Sequence, residues 1–128
     1  MIIVSCAIIE DRDGNVLATQ RSPTMSLPLK WEFPGGKVEP NETPEQAIMR
    51  EIMEELNIEI EIKSRLEEVI HEYPTFNITL IPFICNYIAG ELKLYEHNQF
   101  LWLSPDTLLD LDWAAADVPI VKHYLKLS

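Results

Sequence analysis

The residues best equipped for chemistry lie in Arg50-Glu51-Ile52-Met53-Glu54-Glu55. On a helix, Glu51 and Glu55 stand at i and i+4, with Glu54 at i+3 from Glu51, so three carboxylates crowd one side. Such a run is most often a solvated face, because like charges at this spacing repel. Arg50 changes the weighting: it can pair with Glu54 four residues on and can orient a neighbouring glutamate, leaving Glu51 and Glu55 free for ligands. Oxygen donors of this kind suit hard cations such as Mg2+ or Mn2+, which keep waters and bridge to phosphates. Directly upstream, Trp31-Glu32-Phe33-Pro34-Gly35-Gly36-Lys37-Val38-Glu39 offers a glycine pair that lets backbone N–H groups approach a ligand, and Lys37 adds a point charge for phosphate. An isolated glycine pair is usually a turn. Beside a carboxylate-rich helix it allows metal-assisted hydrolysis of a phosphoanhydride.

Those residues need elements to position them. Thr43-Pro44-Glu45-Gln46 joins an N-cap hydroxyl, proline at the first helical position and glutamine at the third, which is a reciprocal capping box. Ala47, Ile48, Ile52 and Leu56 form an apolar stripe, and Asn57 tolerates a left-handed stop, so the spacing predicts a helix from Pro44 to about Leu56. Met1 to Glu10 reads as a buried strand, Asp11 to Asn15 as a turn, and Val16 to Gln20 as the partner strand of a hairpin. Residues 22 to 30 hold Pro23 and Pro28 and suit a surface loop lining a site. Ile58 to Lys63 alternates with a period of two, and strand-like runs follow at Leu66 to Glu72, Phe76 to Ala89 and Phe100 to Leu103. Gly90 marks a break, and Pro82 calls for a bulge or an edge nearby. Ser104-Pro105 opens a short helical turn, and Asp117 can cap a last helix in which Ile120, Val121, Tyr124 and Leu125 face the core. The sum is α+β: a mixed sheet with helices packed on it.

A chain of 128 residues supports one core, so residues 1 to 128 are expected to form a single domain. The composition, 47% apolar and 24% charged, is that of a globular protein, and no apolar run reaches the roughly 20 residues a membrane helix needs. Met1 to Ile9 is apolar but lacks the basic segment of a secretory signal, so the expectation is a cytoplasmic protein. A net charge of -11 repels a nucleic-acid polymer and an anionic membrane alike, while a small polyanion can bind through cations. Cys6 and Cys85 are too few and too far apart for a disulfide framework or a zinc site and read as buried thiols.

Gly36, Glu42, Arg50-Glu51-Ile52, Glu54-Glu55 and Asn57-Ile58, at the spacings they have here, resemble the signature of the Nudix hydrolases. The one departure is Asn57, where the family pattern has glycine; asparagine tolerates the left-handed conformation that position wants. The resemblance extends over nearly the whole chain to the MutT-like branch, through Glu32 to Lys37, Thr43 to Ala47 and His97 to Trp102. It implies an α/β/α sandwich with a mixed β-sheet and Mg2+-dependent hydrolysis of a nucleoside diphosphate linked to another group, with Mn2+ as an alternative ion. It makes Glu51, Glu54 and Glu55 metal ligands or water activators and Arg50 the residue that orients them. The carbonyl of Gly35 or Gly36 and the side chain of Lys37 match positions that contact metal or phosphate, Arg21 matches a phosphate-binding arginine, and Glu96 matches a further metal ligand or base. Glu42 sits before the helix cap and takes a structural role with the loop. In MutT-like enzymes attack falls on the β phosphorus, giving a monophosphate and pyrophosphate.

Phe33, Phe76, Asp117 and the N-terminal strand match the places where MutT-like relatives hold the base, although Phe33 and Phe76 can equally be core aromatics. An ionised Asp117 only accepts hydrogen bonds, from the cytosine amine or a guanine amide edge, and donates to a purine carbonyl only if protonated. The resemblance thus points to 8-oxo-dGTP first and to CTP or a modified dCTP second. Readings of other kinds are an inactive nucleotide-binding relative, which would be free to lose its carboxylates, and an RNA-pyrophosphate enzyme, which needs a basic path this chain lacks. The compact chain, without an extension to swap, is expected to be a monomer.

Overall fold

The computed structural model describes residues 2 to 127, so Met1, at the start of the first expected strand, lies outside it. The strands are β1 (Ile2–Glu10), β2 (Val16–Gln20), β3 (Trp31–Glu32), β4 (Gly35–Lys37), β5 (Glu59–Arg65), β6 (Val69–Tyr73), β7 (Phe76–Ala89) and β8 (Gln99–Leu103). Two α-helices, α1 (Pro44–Leu56) and α2 (Val118–Leu127), complete the framework, with a 3-10 helix at Pro105–Asp110. One mixed sheet runs β3-β2-β1-β7-β5, with β4 beside β1, β6 beside β7 and β8 beside β2. Its spine is the parallel pair β1 and β7, in register from Ile2 opposite Ile78 to Glu10 opposite Asn86.

The alternation of β1 sends successive side chains to opposite faces. Cys6 and Ile8 pack with Ile120, Val121 and Tyr124 of α2, while Ala7 and Ile9 pack with Ile48, Ile52 and Leu56 of α1. The result is an α/β/α sandwich with a core on each face of the sheet. Each fully buried leucine or isoleucine on α1 contributes about 1.5–3 kcal/mol to holding it there.

Helix α1 starts as its capping box requires: the Thr43 hydroxyl accepts the Gln46 N–H, and the Gln46 side chain accepts the Thr43 N–H. It ends at Asn57, whose φ of 60° and ψ of 30° are left-handed. Ser5 of β1 donates to the Pro44 carbonyl at 2.9 Å, tying the helix start to the central strand. The first hairpin turns on Asp11, whose Oδ1 accepts from the Asp13 and Asn15 N–H groups.

Two expectations are corrected in detail. The run from Leu66 to Glu72 is not one strand: β5 continues to Arg65 and β6 begins at Val69. That gap accommodates Pro82, which sits mid-strand in β7, lacks an N–H, and meets the place where one neighbour has stopped and the next has not begun; its carbonyl still accepts the Leu66 N–H at 2.9 Å. Asp117 does not cap α2 with its side chain, because its carboxyl turns inward to the Phe33 N–H. Both cysteines are buried free thiols, as expected. No helix among the described residues is long and apolar enough to cross a membrane.

Candidate active site

A cavity of about 410 Å³ opens at the end of the sheet where β1 begins. It collects Arg21 from the end of β2, Glu32 and Phe33 from β3 and its exit, Gly35 to Lys37 from β4, Glu55 from α1, Phe76 from β7, Glu96 and His97 from the loop before β8, and Asp117. All five expected substrate-binding residues, Arg21, Phe33, Lys37, Phe76 and Asp117, line this one space, together with Gly35, Gly36, Glu55 and Glu96. Arg50, Glu51 and Glu54 do not line it; they stand beside it on α1.

Arg50 is the hub of that outer group. Its guanidinium grips Glu42 through two hydrogen bonds (2.7 and 2.9 Å), reaches Glu51 at 2.7 Å and Glu54 at 3.2 Å, and donates to the Lys37 carbonyl at 3.2 Å. The expected Arg50–Glu54 pair exists but is the weaker contact, and Glu51 is not left free. The planar fork of arginine suits a bidentate carboxylate, and Glu42, eight residues back, supplies it from the loop. Glu42 in turn accepts the Glu39 N–H, and these bonds hold its carboxyl down at about 2. The same contacts push the Arg50 guanidinium further up. Arg50 therefore pins loop, glycine strand and helix together. Glu54 points mostly to solvent.

Glu55 is the half-buried carboxyl on the cavity side. Burial, then a hydrogen bond with Glu51, then the charges of Glu51, Glu32 and Glu96 push it up to about 9. Gly36 leaves room for this crowding: a Cβ there would lie 2.4 Å from the Glu51 carboxyl carbon. Gly35 is required for a different reason, since its Cβ would meet the Ser5 carbonyl oxygen at 2.0 Å.

The donor set fits a divalent cation in kind. Glu51, Glu55 and Glu96 are hard oxygen donors whose mutual repulsion is what a cation between them would remove. A buried nitrogen, Nδ1 of His97, has no hydrogen-bond partner among the described residues and stands 3.8 Å from Glu55 Oε2. Among the described residues no three such side chains already converge on one point, because Arg50 draws Glu51 and Glu54 aside while Glu55 leans on Glu51.

Two residues of the site carry no role that the sequence alone assigns. Glu32 accepts from Arg21 (2.8 Å) at one oxygen and faces His97 Nε2 (2.8 Å) with the other. They lie 65 positions apart, and only the pairing of β2 with both β3 and β8 brings them together. Arg21 also donates to the Ser26 carbonyl and hydroxyl, which folds the loop after β2 over the cavity.

Part of the cavity's lining is apolar. Ile2, Val4, Ile78 and Leu80 contribute to it along with Tyr73 and Phe76, whose ring centroids lie 5.0 Å apart. Phe76 is half-exposed and free to offer a face. Phe33 also lines the cavity but is buried, its ring against Trp113 with centroids 4.7 Å apart. The Phe33 N–H donates to Asp117 Oδ2 at 2.9 Å. Asp117 is buried, and that burial pushes its carboxyl up to about 8 despite the Phe33 bond, with Glu32 raising it and Arg21 lowering it. At neutral pH this side chain is largely a neutral acid, able to donate as well as accept.

The pattern of the NUDIX domain matches residues 5–123 of this chain. The chain is 38% identical over 127 residues to the CTP pyrophosphohydrolase of Escherichia coli (strain K12), covering 99% of this chain and 93% of that protein. It is 32% identical over 124 residues to the 8-oxo-dGTP diphosphatase of the same strain, covering 97% and 96%. The solution structure of the E. coli ORF135 protein superposes with a TM-score of 0.87 at 37% identity, covering 99% of this chain and 90% of that one.

Proposed function

The chain belongs to the Nudix family as a MutT-like hydrolase of phosphoanhydride bonds, and from that premise we propose that it is a Mg2+-dependent pyrophosphohydrolase of (deoxy)nucleoside triphosphates, with 8-oxo-dGTP as leading substrate. The observation that carries this reading is one cavity that combines two kinds of lining: the aromatic side chains of Tyr73 and Phe76 with the buried Asp117, and the charged groups Arg21, Lys37, Glu55 and Glu96. A flat heterocycle joined to a chain of phosphates has that distribution of chemistry.

Glu51, Glu54, Glu55 and Glu96, with a carbonyl of Gly35 or Gly36, are the groups that would hold the cation, which supplies charge neutralisation and a more acidic water. The remaining work falls on the chain. Arg21 and Lys37 bind phosphate oxygens, Phe76 and Tyr73 stack on the base, and Arg50 fixes the Glu51 carboxylate. Glu96, which opens onto the cavity, takes the proton of the water that attacks the β phosphorus. The products are a nucleoside monophosphate and pyrophosphate. In this reading the protein works in the cytoplasm, where such a substrate is supplied, and as a monomer.

Asp117 gives the base preference. A neutral carboxyl presents a donor beside an acceptor, and the 8-oxoguanine edge answers with an acceptor at O6 beside an N7–H donor, whereas N7 of guanine only accepts. Cytosine offers a similar pair at N3 and its amine, and the full-length relative at 38% identity is named for CTP, so CTP or a modified dCTP is the second reading.

Hydrolysis with 8-oxo-dGTP and Mg2+ in 18O-labelled water tests the proposal. The expected products are unlabelled 8-oxo-dGMP and pyrophosphate carrying one 18O, with activity lost in Glu55→Gln. Label in the monophosphate, or release of orthophosphate, would overturn attack at the β phosphorus. Nucleotide binding without turnover of any triphosphate would make the chain a binding relative.

A further inference from the structure

His97 lies between the two halves of the site, and its surroundings fix one end of the ring while leaving the other unused. Next to it in sequence, Asn98 donates its backbone N–H to the Gln20 carbonyl (2.9 Å) and its side-chain amide to Gln20 Oε1 (2.7 Å), which fastens the loop to β2. The imidazole is almost fully buried. Its Nε2 faces Glu32 Oε2 at 2.8 Å, and Glu32 Oε1 holds Arg21 at 2.8 Å. A carboxylate oxygen takes the hydrogen of Nε2, so the ring is oriented from the Arg21 side. At the other end, Nδ1 has no partner among the described residues and sits 3.8 Å from Glu55 Oε2, just beyond hydrogen-bond reach. A buried ring nitrogen left unpaired is costly, and a modest rotation of the Glu55 side chain would satisfy it.

We propose that His97 is a positioning residue that holds Glu55 in its working orientation through Nδ1 and so couples the Arg21–Glu32 phosphate clamp to the acidic helix. The contact needs one proton between the two groups: Nδ1 accepts from a protonated Glu55, or the doubly protonated ring donates to an ionised one, and either fixes the same carboxyl. Glu55 now leans on Glu51. When a cation relieves the repulsion behind that bond, Nδ1 is the buried polar atom placed to hold Glu55. The arrangement is that of an outer partner which orients a ligating side chain, and losing such partners commonly lowers metal affinity or activity by about 10–100-fold. The proposal rests on the reading of Glu55 as part of the cation site.

Two substitutions divide the ring's roles. The amide of His97→Gln reaches the place of Nε2 and keeps the Glu32 contact, whereas that of His97→Asn reaches the place of Nδ1 and keeps the group facing Glu55. The readouts are Mn2+ affinity of the nucleotide-free protein, by electron paramagnetic resonance, and kcat and KM measured separately with CTP and with 8-oxo-dGTP as substrate. His97→Gln is expected to weaken Mn2+ binding and to lower kcat by about tenfold or more, with KM within about twofold. His97→Asn is expected to restore most of the Mn2+ affinity and kcat while raising KM, because Arg21 loses its support. Equal effects of the two variants, or wild-type Mn2+ affinity in His97→Gln, would overturn the proposal. If His97→Gln does not fold, Glu32→Gln replaces it: the ring stays but its anchor weakens, and Mn2+ affinity should fall several-fold, an unchanged affinity overturning the idea. Glu55→Gln separates the two claims. Loss of Mn2+ binding there without loss in His97→Gln overturns the His97 role alone, and no loss in Glu55→Gln overturns the cation site and the His97 role together.

Discussion

Asp117 keeps a carboxyl in a place where charge is expensive, and its neighbours decide what it can do. Burial raises it to about 8, so the folded protein retains a proton that the unfolded chain releases near the ordinary value of 3.8. The sign follows from linkage: this contribution to stability is fully present below about 4 and is lost as pH rises toward 8. Asp117→Asn can still accept the Phe33 N–H without that cost. Its melting temperature should therefore fall less than that of the parent between pH 5 and pH 8 in thermal melts with EDTA present; parallel curves would contradict the assignment. The two glycines of the cradle differ in the same residue-level way. Gly36→Ala meets the end of a flexible Glu51 side chain, so it should fold with a nearly unchanged melting temperature yet lose about tenfold or more in kcat/KM. Gly35→Ala meets the Ser5 backbone and should not fold well. Arg21 and Glu96 come only from the family resemblance, whereas the helix carboxylates and the glycine pair are legible in the sequence because residue type at fixed spacing carries their chemistry. Glu32 and His97 are not, since their meaning lies in a contact across 65 residues. Glu42 is visible as a loop carboxylate, but its claim on Arg50 depends on how the loop turns back, which periodicity does not encode.

At the scale of elements, α1 does two jobs with opposite demands: one stripe is buried and another concentrates negative charge. The Arg50–Glu54 pair at i and i+4 offsets only part of the repulsion on the acidic side, so the ends of the helix matter more. Thr43→Ala removes one half of the capping box and should cost about 1 kcal/mol in denaturant unfolding, with kcat/KM at 25 °C nearly unchanged; a large loss of activity would mean that the cap also sets the cation site. The helix and its stop at Asn57 are legible because caps and a 3.6-residue stripe are local signals. The short strands β3 and β4 are not, since two or three residues around Pro34 have no periodicity, and β1 and β2 recruit them only once the sheet exists. The division of β5 from β6 likewise depends on the missing N–H of Pro82 in a neighbouring strand.

For the whole molecule, the sandwich brings the ends of β2, β3, β7 and α1 to one rim, where the repulsion among Glu51, Glu55 and Glu96, in a chain of net charge -11, is what a bound cation would relieve. A divalent ion that binds the folded state alone, at about 100 times its Kd, stabilises by roughly 2.7 kcal/mol, several degrees in melting temperature. Mg2+ should therefore raise the melting temperature well beyond NaCl at matched ionic strength, and Glu55→Gln should reduce the difference; equal shifts with both salts would mean general screening. Such a charge opposes a polyanionic chain while leaving room for a nucleotide carried in with its metal. The measurement that tests the central claim most directly is kcat/KM for pyrophosphate release from 8-oxo-dGTP, dGTP, CTP, 5-methyl-dCTP and ADP-ribose at fixed Mg2+, with Glu55→Gln as the blank. The expected result is a preference for 8-oxo-dGTP over dGTP that shrinks in Asp117→Asn. Preference for the cytidine nucleotides would move the assignment to the second reading, and turnover of ADP-ribose alone would contradict the base site.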